Sequence, residues 1–258
     1  MSISGLLNIG RSSLQVNQTA LQVTGHNIAN VNTPGYTRQR VGIETTTPFV
    51  TGAGVIGTGV RAQEVTRIYD RFLAFQIKGE RENFGTLSSE KDTIARVEEI
   101  FNEVSGSGLK DMLTAFFNSL KDLSNNAGSY AERAQVLSNA DLLAYTIKSK
   151  ATDLSTLRTS IDNDVKSTVS DVNSLASQIA DLNGKIADQE LSGASANDLR
   201  DKRDGLMADL SGLINYNYVE DNSGQVTIFV GKGTPLVDGI RYNALSIVAN
   251  AGNSNQAE

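Results

Sequence analysis

From Ile3 onward the positions Ile3, Leu7, Gly10, Leu14, Asn17, Leu21, Thr24 and Ile28 step by four and three in alternation, the a/d seam of a coiled-coil helix. Ile3, Leu7, Leu14, Leu21 and Ile28 carry its apolar weight. A solvated helix normally spreads charge over its outer face, yet in the first 36 residues the only formal charge is Arg11. Gly5, Gly10 and Gly25 each cost roughly 1 kcal/mol against alanine in a helix interior. The pattern therefore predicts a helix that gains its order by being surrounded by other protein.

The pattern breaks at Asn27-Ile28-Ala29-Asn30-Val31-Asn32-Thr33-Pro34-Gly35-Tyr36. Asn30 is a left-handed helix cap in this reading, and Pro34 with Gly35 at the two central positions of a turn predicts type II geometry over Thr33 to Tyr36. The next residues, TRQRVGIETTT, alternate and are rich in β-branched side chains. They predict a strand, with a glycine loop over 52–59 and a returning strand in TGVRAQEV, hence a short β-hairpin near 37–66.

Helical spacing resumes from about Glu64 to Val104 through Ile68, Phe72, Phe75, Phe84, Leu87, Ile94 and Phe101, with Gly79 and Gly85 as weak points. A shorter helix runs from Ser107 through Leu109, Leu113, Phe116, Leu120 and Leu123. The longest starts near Ser129 and reaches Leu191, with Ile161, Val165, Thr168, Val172, Leu175, Ile179, Leu182 and Ile186 in register. About 60 residues at 1.5 Å each span roughly 90 Å, which implies an elongated molecule. A further helix follows over NDLRDKRDGLMADLSGLI, with Asn197 as N-cap and Asp198, Arg200, Asp201, Lys202, Arg203 and Asp204 as a solvated face. Beyond Ile214 the strands INYNYVE, QVTIFVG, PLVDG and ALSIVAN form a β-rich segment. The expected class is mainly α with a smaller β part, an elongated helical bundle or coiled coil. Its divisions are 1–36, an axial helix and turn; 37–63, a hairpin-like extension; 64–213, a long-helix bundle; and 214–258, the start of an outer β domain.

Composition narrows function by exclusion. Aromatics are 6% of the chain and tryptophan is absent, which fits helices packed through aliphatic side chains. A net charge of -6 offers no field for nucleic acid, and the N-terminus lacks the shape of a cleaved signal. Zero cysteines and the single His26 remove disulfides, thiolate sites and most catalytic bases. Gly52-Ala53-Gly54-Val55-Ile56-Gly57 spells a dinucleotide-binding pattern, but β-branched residues stand where its helix would open. Gly231-Lys232-Gly233-Thr234 lacks the Ser or Thr after Lys that a phosphate loop requires, and reads as a turn. No catalytic, cofactor-binding or metal-binding residue is assigned. His26 could bond a neighbouring subunit.

The run Asn27-Ile28-Ala29-Asn30, with Asn32-Thr33-Pro34-Gly35-Tyr36, resembles the N-terminal motif of the bacterial flagellar axial proteins: rod, hook and hook-associated proteins. TGHNIANVNTPGYTRQ, GTGV, RIYDRFLAFQI and LRDKRDGLMADLSGLI extend the likeness over nearly the whole chain. The long helices place it among the hook-associated proteins of the hook-filament junction. The resemblance implies a non-enzymatic structural subunit, exported unfolded through the flagellar channel without a cleaved signal and located outside the cell in the flagellum. Its implied partners are copies of itself, the hook protein, the second junction protein and an export chaperone that contacts a C-terminal region absent here. No cofactor, nucleic acid or membrane insertion is implied. In that picture Asn27, Ile28, Ala29, Asn30, Asn32, Thr33, Pro34, Gly35 and Tyr36, together with Arg38 and Gln39, form the assembly motif where the chain leaves the inner tube. The tube pairs the first helix with a C-terminal helix, and this chain ends at Glu258 without such a segment, which leaves tube assembly open. The competing readings are another rod or hook subunit, or a soluble helical adhesin or binding module.

Overall fold

A computed structural model of the chain describes residues 3–52, 54–101, 108–250 and 256–257. Five helices carry most of the described residues: α1 (Ile3–Ala29), α2 (Arg71–Phe101), α3 (Leu109–Asn125), α4 (Tyr130–Leu191) and α5 (Asn197–Ser211). The strands are β1 (Gln39–Thr45), β2 (Phe49–Thr51), β3 (Gly54–Ile56), β4 (Val60–Arg67), β5 (Tyr216–Glu220), β6 (Val226–Val230), β7 (Thr234–Asp238), β8 (Arg241–Tyr242), β9 (Ala249–Asn250) and β10 (Gln256–Ala257). The chain is mainly α with a smaller β part, as its periodicity predicts. Two compact units arise, one from residues 1–85 with 171–245, the other from 86–170 with 246–258.

In the first unit, β1 pairs antiparallel with β4 from Gln39 opposite Arg67 to Thr45 opposite Val60. This is the hairpin expected near 37–66. Its register shifts between Val41 and Ile43, and Gly42 sits in that irregularity, where a β-carbon would press on the Glu64 carbonyl. The glycine loop is more regular than expected, because β2 and β3 form a second small hairpin from Phe49 opposite Ile56. Helix α2 begins seven residues later than its apolar spacing implies. Val65 to Arg67 are held in β4 by their pairing with β1, and only then does Asp70 cap the helix, its Oδ1 accepting from the Phe72 and Leu73 amides at 2.9 and 3.1 Å. Of the predicted span, residues 102–104 lie outside the described ones, as does the predicted start of α3 at Ser107.

Strands β5 to β8 form a four-stranded antiparallel meander in chain order. Val226, Ile228 and Val230 alternate inward along β6, where they meet Val172, Ala176 and Ile179 of α4 and Met207 and Leu210 of α5. Leu210, Ile179 and Ile228 are fully buried, each contributing about 1.5–3 kcal/mol of transfer free energy. ALSIVAN does not form the strand its composition predicts: Ala244 to Val248 are irregular, and Asn173 intercepts the backbone instead. Its Nδ2 donates to the Leu245 carbonyl at 2.9 Å and its Oδ1 accepts the Leu245 amide at 2.7 Å, the pairing a neighbouring strand would have supplied. Helix α2 closes the β5 edge. Lys78 lies over the Tyr216 ring and pairs with Glu82, whose carboxylate accepts the Tyr216 amide at 3.1 Å.

The second unit holds the remainder of α2, α3 and the first two-thirds of α4. Arg96 bonds Asp164 at 2.8 Å, and Asn139 of α4 donates to the Ala115 carbonyl of α3 at 3.2 Å. Strands β9 and β10 pair within it. No helix among the described residues is long and apolar enough to cross a membrane.

Candidate functional site, the turn after the first helix and its anchor

Helix α1 presents two different faces. Ile9, Ser12, Val16, Ala20, Val23 and Asn27 form a partly covered stripe, with Val16 buried, and Gly59 of the hairpin comes against Ile9 and Ser12. At 100° per residue the Ile3, Leu7, Leu14, Leu21, Ile28 seam lies roughly 145° away from that stripe. All five seam residues are exposed, Leu14 by 74% and Leu21 by 73%.

The chain turns sharply at the end of this helix. Asn30 returns both its amide and its Nδ2 to the His26 carbonyl, at 3.1 and 3.0 Å, and accepts the Thr33 hydroxyl on Oδ1. The Tyr36 amide donates to the Thr33 carbonyl at 3.2 Å with Gly35 at φ 78°, the left-handed position that a type II turn demands of its third residue. The predicted turn is formed. Ile28, Ala29, Asn32, Pro34 and Arg38 remain exposed on its surface.

Asn27 ties the two arms together. Its Oδ1 accepts the Tyr36 hydroxyl at 2.8 Å and the Gln39 amide at 2.9 Å, while its Nδ2 donates to the Gln39 carbonyl at 2.9 Å. Because the Tyr36 proton is committed to Asn27, His26 Nδ1, 3.1 Å from that hydroxyl, carries its own proton and donates. Through Nδ1, His26 thus bonds within its own chain, and its Nε2 lies 3.9 Å from Asp198. Burial and the nearby charges of Asp198 and Asp201 raise the Tyr36 phenol above its ordinary range.

The turn is fastened to residues that the sequence pattern assigns to a solvated face. Asp201 of α5 accepts the Thr37 amide at 2.8 Å, the Thr37 hydroxyl at 2.6 Å and Arg67 Nη1 at 2.9 Å. Arg67, at the end of β4, also reaches Asp204 at 2.6 Å and stacks over Tyr69. Gln39 donates to Asp198 at 2.7 Å. Asn197 is not the N-cap; Ala196 holds that place, and the Asn197 side chain donates instead to the Val65 carbonyl of β4 at 2.6 Å.

Deeper in, Arg203 is 1% exposed and Asn183 fully buried. Arg203 donates to Asn183 Oδ1 and Glu220 Oε1, each at 3.0 Å, and to the Gly224 carbonyl. Arg200 forks onto Glu190 at 2.6 and 2.8 Å and also contacts Glu220. Only Asp198 and Lys202 of the six charged residues remain exposed.

The environment moves these groups in opposite directions. Hydrogen bonding from Arg200 holds the Glu190 carboxyl below its usual value. Burial pushes Asp204 up in spite of the Arg67 guanidinium, and lowers Arg203 in spite of Asp204 and Glu220. Burial would also lower Arg67, but Asp204's charge and the hydrogen bonds to both carboxylates outweigh it and raise the group. A cleft of about 500 Å³ lies beside this network, lined in part by Arg67, Tyr69, Arg71, Glu190, Arg200 and Glu220. Its cations are already matched by carboxylates. Among the described residues no group of three or more His, Asp or Glu is arranged to hold a metal ion.

One clue to this network was available in the sequence. Leu199, Arg203, Leu206 and Leu210 step by four, three and four, so Arg203 occupies a core position of the apolar stripe.

Residues 94–258, from the end of α2 onward, match the model of the flagellar hook-associated protein FlgK helical domain. The chain belongs to the FlgK family. A flagella basal body rod protein model matches residues 7–37, most of α1 and its turn. Flagellar hook-associated protein 1 of Bacillus subtilis is 33% identical over 248 residues, covering 93% of this chain and 49% of the relative. The protein of the same name from Salmonella typhimurium is 30% identical over 251 residues, covering 96% and 45% respectively. The flagellar hook junction protein FlgK from Burkholderia pseudomallei superposes with a TM-score of 0.58 at 31% identity, covering 67% of this chain and 30% of that one. This FlgK-family chain therefore spans about half the length of the curated relatives it matches. Family membership places it in the bacterial flagellum, in a family of structural proteins.

Proposed function

We propose that the chain is a structural subunit of the hook-filament junction, assembling through α1 and the turn that follows it. The observation that carries this reading is the exposed, nearly uncharged seam of α1 beside a rigidly bonded turn. Exposed apolar side chains in this arrangement are lost from water only when another protein covers them. In this reading Ile3, Leu7, Leu14, Leu21 and Ile28 are enclosed by copies of the protein and by neighbouring axial subunits. Asn27, Asn30, Thr33, Pro34, Gly35 and Tyr36 redirect the chain outward, with Asn32, Arg38 and Gln39 at the exit. Export proceeds through the flagellar channel without a cleaved signal. The hook protein and the second junction protein are the neighbours, and an export chaperone engages a region beyond the one described.

The test is the double substitution Pro34→Ala with Gly35→Ala on the chromosome. Alanine at position 35 disfavours the left-handed geometry, so α1 runs on and the bonds of Tyr36 and Gln39 to Asn27 are lost. Cells should then make hooks without filaments, scored by electron microscopy. Filaments of normal number and length would refute the proposal.

A further inference from the structure

Among the described residues, none of α1 or of the β1–β4 hairpin enters the hydrophobic core that α4, α5 and β5–β7 share. These segments are instead joined through polar atoms to α5 and the residues just before it. Thr37 and Arg67 meet Asp201, Arg67 meets Asp204, Gln39 meets Asp198, the Val65 carbonyl meets Asn197, and Glu64 meets Ser195 at 2.6 Å. Hydrophobic contact is non-directional, whereas hydrogen bonds to a carboxylate fix angles, and charged ones do so most strongly. Among these residues Asp201 is the hub: it is buried and accepts from three donors on two different segments.

We propose that Asp201, with Arg67 as its bridge, is a clamp that sets the direction in which α1 leaves the body, and that the junction subunit needs this fixed direction to be incorporated. The inference rests on the assembly role proposed above. Asp201 is a positioning residue: it touches no partner itself and acts by holding Thr37, the first residue after the turn. Asparagine is the sharpest substitution. The Thr37 amide and the Arg67 guanidinium can only donate, so the amide group of an asparagine must point its own donors at one of them. The shape is kept and the clamp is lost.

Because the chain has no cysteine, spin labels can be placed uniquely through Gln18→Cys on α1 and Lys202→Cys on α5, both exposed positions. With Asp201→Asn the distance distribution between them should broaden at least about twofold, as expected when a hinge is freed. Amide protection of Ile179, Leu210 and Ile228 should stay at the wild-type level. Thr37→Val, which removes one of the three bonds, should give an intermediate width and guards against a variant that fails to fold. An unchanged width in both variants overturns the clamp. So does a loss of core protection in step with the broadening, which would make Asp201 an ordinary folding residue.

The same substitutions on the chromosome complete the test. Fewer filaments with Asp201→Asn support the proposal. If the wild-type protein is found at the hook tip and Asp201→Asn is incorporated equally well despite a broadened distribution, the clamp fails and the junction reading stands. If the wild-type protein is not found there, the junction reading itself fails.

Discussion

Asn183 shows how a buried polar side chain is tolerated when every position is met. Its Nδ2 donates to the Val226 and Gly239 carbonyls at 2.8 and 2.7 Å, and its Oδ1 accepts the Val226 amide and Arg203 Nη1 at 3.1 and 3.0 Å. Asn183→Ala leaves two carbonyls, one amide and part of a buried guanidinium without partners. Each such group costs about 1–3 kcal/mol, so the variant should lose about 3 kcal/mol or more, measured as a lower urea midpoint at unchanged slope. A loss under 1 kcal/mol would mean that water replaces the side chain. Asn183 was hard to read from the sequence, because it is polar by type and only its partners Val226, Gly239 and Arg203 make it interior, whereas Arg203 was marked by its place in an apolar stripe. The turn was legible because Pro34, Gly35 and Tyr36 are local signals that need no distant partner.

At the scale of elements, the two glycines of α2 separate propensity from packing. A β-carbon at Gly79 meets nothing within 4 Å, whereas one at Gly85 would overlap the Gly212 carbonyl just beyond α5. The same substitution should therefore act in opposite senses. Gly79→Ala should stabilise by up to about 1 kcal/mol through helix propensity, while Gly85→Ala should destabilise because backbone cannot step aside as a flexible side chain can. Thermal unfolding of the two single variants decides this, and matching shifts would disprove it. Both glycines read alike as weak points in the sequence, since periodicity carries no information about what crosses a helix. The same limit explains the start of α2. Ile68 fits the helical stripe, but β1 claims Val65 to Arg67 for the hairpin first. Long elements such as α4 were legible because sixty residues of consistent period leave few alternatives. ALSIVAN was not, because Asn173 outcompetes any strand for its backbone.

For the molecule as a whole, the ionic network gives stability an uneven dependence on pH. Glu190 has a folded value below its ordinary 4.5, owing first to the Arg200 hydrogen bond. Its contribution is fully present above 4.5 and is lost as pH falls through the lowered value. Asp204 behaves oppositely: burial raises it above its ordinary 3.8, so its contribution is present below 3.8 and disappears as pH rises through the raised value. The two carboxylates therefore pull against each other in mildly acidic solution. Glu190→Gln should narrow its stability gap from wild type as the pH drops below 4.5, since the variant has no favoured ionised form to lose. Asp204→Asn should instead remove the decline that wild type shows as pH rises above 3.8, provided Arg67 keeps Asp201 as its partner. Urea midpoints of the three proteins across that range test both signs. Parallel curves for Glu190→Gln and wild type would show that the Arg200 fork persists into the unfolded chain, and with it that the network is held by local sequence rather than by the fold.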